Sequence, residues 1–99
     1  MTEATTEIEL EGNDAGGRYV LRGPGGAEAE ITFRRPDRHQ LIIDHTTVPD
    51  VFRGQGVGTK LVARVVEDAR AAGVKIVPLC PFAAAQFARH PEWAGVLKQ

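Results

Sequence analysis

Apolar residues alternate with polar ones through the first half of the chain and recur every three or four positions in the second. Ile8 and Leu10 alternate with Glu7, Glu9 and Glu11, the period of a half-buried strand. Gly12 to Gly17 is a turn, and Arg18 to Arg22, with Tyr19, Val20 and Leu21, reads as a second strand. Gly23-Pro24-Gly25-Gly26 turns again. Ala27, Ala29, Ile31 and Phe33 then alternate with Glu28, Glu30 and Thr32, the clearest period of two in the chain. Arg35-Pro36-Asp37-Arg38 turns the chain round, and Gln40 to Val48 is the fourth strand. Turns at such short, even spacing predict an antiparallel meander.

The period then lengthens. Val57, Leu61 and Val65 form one stripe, widened by Val62, Val66 and Ala69, with Lys60, Arg64, Glu67, Asp68 and Arg70 mostly opposite. This predicts an amphipathic helix from Gly56 to Ala72, stopped by Gly73. Lys75 to Cys80 reads as a fifth strand, parallel to the fourth through a right-handed crossover. Pro78 within it cannot donate to a ladder, so this strand lies at an edge or is splayed. Pro81 suits a first helical position, and Phe82 to Arg89 is a short helix ended before Pro91. Trp93, Val96 and Leu97 pack the tail back onto the sheet. The expected class is α+β: a meander, then strand-helix-strand-helix, around one mixed sheet. The 99 residues make one domain, with Met1 to Glu7 expected to be loose.

Composition removes whole classes of partner. A formal net charge of -1 without a basic stripe argues against nucleic acid. No apolar run approaches a membrane span, and the start lacks a basic, then apolar, leader pattern, so a cytoplasmic protein is expected. One cysteine excludes an internal disulfide, and Cys and His lack metal-ligand spacing, so no metal is expected.

The chemistry concentrates in one turn, Val48-Pro49-Asp50-Val51-Phe52-Arg53-Gly54-Gln55-Gly56-Val57-Gly58-Thr59-Lys60. Glycines at alternate positions let backbone N–H groups converge, and the following helix adds its unpaired N–H groups and positive dipole end. That combination suits phosphate. A Walker A loop requires Gly-Lys-Ser/Thr, whereas Gly58-Thr59-Lys60 reverses the order; the dinucleotide fingerprint requires glycine where Thr59 stands. A glycine-rich helix cap without a ligand is the plainer alternative.

What fits is Arg-x-x-Gly-x-Gly, as Arg53, Gly56 and Gly58, which resembles motif A of the GNAT superfamily of N-acetyltransferases. Val77-Pro78-Leu79-Cys80-Pro81-Phe82 and His90-Pro91-Glu92-Trp93 resemble the small single-domain GNAT-like proteins that lack the front helices of larger members. The resemblance implies a GNAT-like fold with the fourth and fifth strands splayed and acetyl-CoA, or CoA, in the gap. It implies that Val48 offers backbone hydrogen bonds to pantetheine and that the Thr46 N–H faces the thioester carbonyl. The N–H groups of Gly54, Gln55, Gly56, Val57, Gly58 and Thr59 would cradle the pyrophosphate beside Arg53. Lys60 could screen phosphate or simply be solvated.

Acetyl transfer needs a neutral amine, a stabilised oxyanion and a proton for the departing thiolate. Cys80, beside a helix start at the thioester end, could accept the acetyl group or supply that proton; a buried small hydrophobe is the plainer reading. His45 could act as general base or as partner to Cys80, or be an ordinary sheet histidine. Alternation puts His45 and Thr47 on one face and Asp44 and Thr46 on the other. Many GNAT enzymes carry a tyrosine on the last helix as the acid. Here that helix has Phe82 and Phe87, one of which could line the thioester pocket, and the single tyrosine is Tyr19. The expectation is an N-acetyltransferase acting on a protein lysine or a small amine. The alternatives are a CoA-binding module with little turnover and a plain interaction domain.

Overall fold

The computed structural model describes residues 8–98. The expected loose segment Met1 to Glu7 lies outside the described residues. The chain forms β1 (Glu9–Asn13), β2 (Gly16–Arg22), β3 (Glu28–Asp37), β4 (Gln40–Thr47), α1 (Val57–Ala72), β5 (Lys75–Pro78) and α2 (Pro81–Arg89), then a 3-10 segment at Pro91–Val96. The five strands make one sheet in sequence order. The first three pairings are antiparallel; β4 and β5 are parallel, joined through α1. This is the mixed α+β sheet expected. Among the described residues no helix is long and apolar enough to cross a membrane.

Local chemistry explains the turns. Asn13 accepts from the Ala15 N–H at 2.8 Å and Asp37 from the His39 N–H at 2.7 Å, side chains standing in for backbone acceptors. The third strand runs further than its sequence pattern suggests. It continues through Pro36 to Asp37 because the pairing with β4 shifts between Arg34 and Asp37, where the missing N–H of proline is not needed. Gly73 caps α1 with φ of 74°, and its N–H bonds the Ala69 carbonyl. Pro78 lies in an edge strand, as its missing donor requires. The outer side of β5 is partly covered by the tail: Ile76 bridges Leu97 and accepts from the Lys98 N–H at 2.9 Å.

One face of the sheet carries the core. Tyr19, Leu21, Ala29, Ile31, Phe33, Leu41 and Ile43 meet the α1 stripe of Val57, Leu61, Val62, Val65, Val66 and Ala69. The Tyr19 hydroxyl donates to Asp68 at 2.8 Å; Arg64 donates to Asp68 and, at 2.9 Å, to the Ile8 carbonyl. Burial, reinforced by the Asp68 carboxylate, pushes the Tyr19 pKa up, so this hydroxyl serves the α1–sheet contact.

Among the described residues no helix covers the opposite face, which organises itself. Arg18 donates to Glu11, Glu28 and Glu30, and Arg22 to Glu9, Glu11 and Glu28. These bonds hold the Glu11 carboxyl (chiefly through Arg22) and the Glu28 carboxyl (chiefly through Arg18) below their ordinary pKa. Val20, between Arg18 and Arg22 on this strand, is 0% exposed, although it lies outside the main core.

Candidate functional site

The parallel ladder between β4 and β5 runs from Gln40–Lys75 to Ile43–Pro78 and then ends. The Leu79 and Cys80 N–H groups both converge on the Ile43 carbonyl, at 3.2 and 3.3 Å. Past that apex β4 continues from Asp44 to Thr47 with no strand on that side among the described residues. A splayed gap therefore opens between the ends of β4 and β5.

A bulge decides which side chains face it. Thr32 pairs with His45 and Phe33 with Ile43, leaving Asp44 as the extra residue. Thr46 then sits opposite Ile31, on the core face, while His45 and Thr47 sit opposite Thr32 and Glu30, on the helix-free face. Asp44 pairs with Arg34 at 3.1 Å. Arg34 follows the inward Phe33, so Asp44 joins the helix-free face rather than sharing Thr46's face. The extra residue breaks the alternation on which the expected grouping rested.

Thr46 and Cys80 meet across the gap. The Cys80 thiol donates to Thr46 Oγ1 at 3.3 Å. Burial pushes the thiol pKa up, but the Thr46 hydroxyl and the N–H groups of Ala83, Phe82 and Thr46 outweigh it and hold the thiol below its ordinary value. His45 is exposed and on the other face, so Cys80's partner is Thr46 and not His45.

Beyond β4, Val48 stands partly exposed and a single 3-10 turn, Asp50–Phe52, leads to the glycines. Gly54 and Gly56 have φ of 81° and 67°, and a Cβ on either would meet nothing within 4 Å. Their positive φ demands glycine, and the space in front of them is open. Gly58 differs. A Cβ there would come within 2.5 Å of the Phe82 ring, so Gly58 lets α2 pack against the start of α1. Thr59 adds to that contact by donating to Gln86, 5% exposed, at 3.0 Å.

The Gln55 N–H is taken by the Phe52 carbonyl at 3.2 Å. The N–H groups of Val57, Gly58 and Thr59 precede the first helical bond, Lys60 N–H to Gly56 carbonyl, and no side chain caps them. Among the described residues they have no acceptor, and they stand at the positive end of a 16-residue helix. Arg53 is highly exposed and paired loosely with Asp50 at 3.3 Å. Phe82 is 37% exposed beside Gly58, whereas Phe87 is core.

Two residues that position this site are silent in the sequence pattern. Phe52, 3% exposed, lays its ring against Gly23 in the β2–β3 turn and so pins the glycine turn. Gln86 fixes Thr59. A buried aromatic inside a polar loop was the only available signal for the first, and none existed for the second. Among the described residues no cluster of three His, Cys, Asp or Glu is disposed to hold a metal ion.

The family model described as GCN5-related N-acetyl-transferase matches residues 18–96. The NMR solution structure of a "GCN5-like putative N-acetyltransferase" from Staphylococcus aureus is 35% identical, over 97% of this chain and 91% of that one, with a TM-score of 0.75. No curated protein matches.

Proposed function

We infer that this chain, which belongs to the GCN5-related N-acetyltransferase family, transfers an acetyl group from acetyl-CoA to an amine in the cytoplasm. The observation that carries this is the unpaired edge of β4, from Asp44 to Thr47, running into a turn that presents free N–H groups to open space. A pantetheine arm fits along that edge as a missing strand would, ending in backbone contacts at Val48. Its pyrophosphate then meets the N–H groups of Gly54, Gly56, Val57, Gly58 and Thr59 and the α1 dipole, with Arg53 alongside. In this reading the Thr46 N–H stabilises negative charge growing on the thioester oxygen. His45, on the helix-free face, is the candidate base for an amine arriving from that side. Acceptors of both kinds, a protein lysine and a small amine, suit so open a face.

A titration of backbone amides followed by NMR tests the reading. Acetyl-CoA and desulfo-CoA should both shift amides from Thr46 to Lys60 and around Cys80. An absence of shifts at millimolar ligand would reduce the glycine turn to a helix cap. Binding without turnover on any amine would favour the CoA-binding module, a reading supported by the lack of a tyrosine on α2.

Cys80 gives the mechanism two forms. Direct attack by the amine leaves Cys80 as the proton source for the CoA thiolate. Alternatively the Cys80 thiolate attacks the thioester, expels CoA, and passes the acetyl group on. The lowered thiol pKa favours the second form, because the thiolate is the nucleophile. Intact-mass analysis should then show one acetyl adduct on the wild type and none on Cys80→Ser. Its rate should rise with pH through a midpoint below that of an ordinary thiol. No adduct on the wild type, together with full activity in Cys80→Ser, would leave direct attack alone.

A further inference from the structure

Arg35 carries a buried donor with nothing to bond. Ile31, Phe33 and Arg35 alternate along β3, which brings Arg35 to the core face beside the β1–β2 turn, where its backbone N–H bonds the Ala15 carbonyl at 2.8 Å. Its Nε is buried and has no partner among the described residues. Each other described arginine either bonds an acceptor or is exposed. An orphaned buried donor calls for an explanation. Arg35 lines a cavity of about 260 Å³ whose apolar walls come from Leu10, Tyr19, Phe33 and Leu41, with Asp14 also among its lining. Leu10 is 50% exposed, an apolar side chain without protein cover. A single water takes up about 30 Å³ and would satisfy Nε while leaving those walls wet, whereas a cavity of roughly 150 Å³ already holds a benzene ring. The planar fork of a guanidinium fits a carboxylate bidentately. We propose that this cavity is a binding site for a small monocarboxylate with an apolar body the size of one aromatic ring, its carboxylate on Arg35 and its body against Leu10, Tyr19, Phe33 and Leu41. Asp14 carries a like charge and so disfavours a second carboxylate on the ligand. The site lies at the opposite ends of the strands from the glycine turn, which Phe52 fastens to the β2–β3 turn.

An NMR titration of the full chain with phenylacetate and with its neutral counterpart phenylacetamide tests the site. Phenylacetate should move the Arg35 Nε–H signal and the amides from Gly12 to Tyr19, saturably, and should do so equally with acetyl-CoA present. A hydrogen bond to a charged group is lost with the amide, so phenylacetamide should bind about tenfold more weakly or worse. Arg35→Gln should abolish the preference for the acid over the amide. Leu10→Ala, at an exposed position that folding tolerates, should weaken both ligands several-fold by removing one apolar wall, and it keeps the test open if Arg35→Gln fails to fold. Equal affinity for the acid and the amide would overturn the site, as would a Leu10→Ala variant that binds like the wild type. The absence of any saturable shift at tens of millimolar ligand would leave water as the partner of Arg35 and overturn it too. Shifts confined to Thr46 through Lys60 and displaced by acetyl-CoA would assign the carboxylate to the glycine turn instead, and would equally overturn a site at Arg35.

Discussion

Phe52→Ala should destabilise the protein by about 3–5 kcal/mol, the usual cost of deleting a buried aromatic ring. That is a large share of the roughly 5–15 kcal/mol that holds most domains folded. The ring is 3% exposed, yet it belongs to a short turn with no helix or strand of its own to hold it. It lies so close to Gly23 that a Cβ there would come within 2.6 Å of it. The turn after β4 is thus bolted to the turn between β2 and β3 by one side chain. Urea unfolding should show a lower midpoint with an unchanged slope, the mark of lost stability without a change in the denatured state. Val51→Ala, in the same turn but 49% exposed, should cost no more than about 0.5 kcal/mol. Equal losses in the two variants would show that the Phe52 ring anchors nothing.

Gly56→Val should cost binding more than stability. At φ of 67° a side chain is strained by roughly 1–2 kcal/mol, and a β-branched one tolerates the conformation worst. Space is not the problem, because a Cβ at Gly56 meets nothing within 4 Å. To escape the strain the turn must rotate, and its N–H groups leave their common direction. A hydrogen bond to a charged group contributes about 1.5–3 kcal/mol, so losing one or two predicts an acetyl-CoA affinity lower by roughly tenfold to a hundredfold or more. Gly56→Asn is the discriminating control, since asparagine visits the left-handed region at low cost and should lose far less. Equal losses in the two variants, read by calorimetric titration, would shift the explanation from backbone conformation to the bulk of any side chain.

The three alternate glycines illustrate what a sequence can and cannot convey. Their spacing marks a turn at the head of a helix, and that much is legible. It does not reveal that Gly54 and Gly56 serve conformation while Gly58 serves the Phe82 ring, since the ring comes from 24 residues away. The strands of the meander, the stripe of α1, the stop at Gly73 and the edge position marked by Pro78 all follow from local period and punctuation. The bulge at Asp44 does not, because a period-two pattern assumes one residue per step and the surplus residue is visible only in the pairing. That single residue separates His45 from Cys80 and brings Thr46 to it. The bond from the Gln55 N–H to the Phe52 carbonyl is likewise invisible in the sequence, since the Phe52 ring rests against Gly23 in a turn 29 residues earlier in the chain.

Arg18 and Arg22 carry an architectural consequence. A single-layer sheet with helices on one side ordinarily needs a second layer or a fully wetted far side. Here the arginines and their glutamate partners form a layer one side chain thick on the face that also carries the buried Val20. Salt and protons act on that layer directly, whereas they would leave a helical layer largely untouched. Among the described residues that face is closed by ion pairs instead of a layer of secondary structure, and its integrity depends on its ionic surroundings.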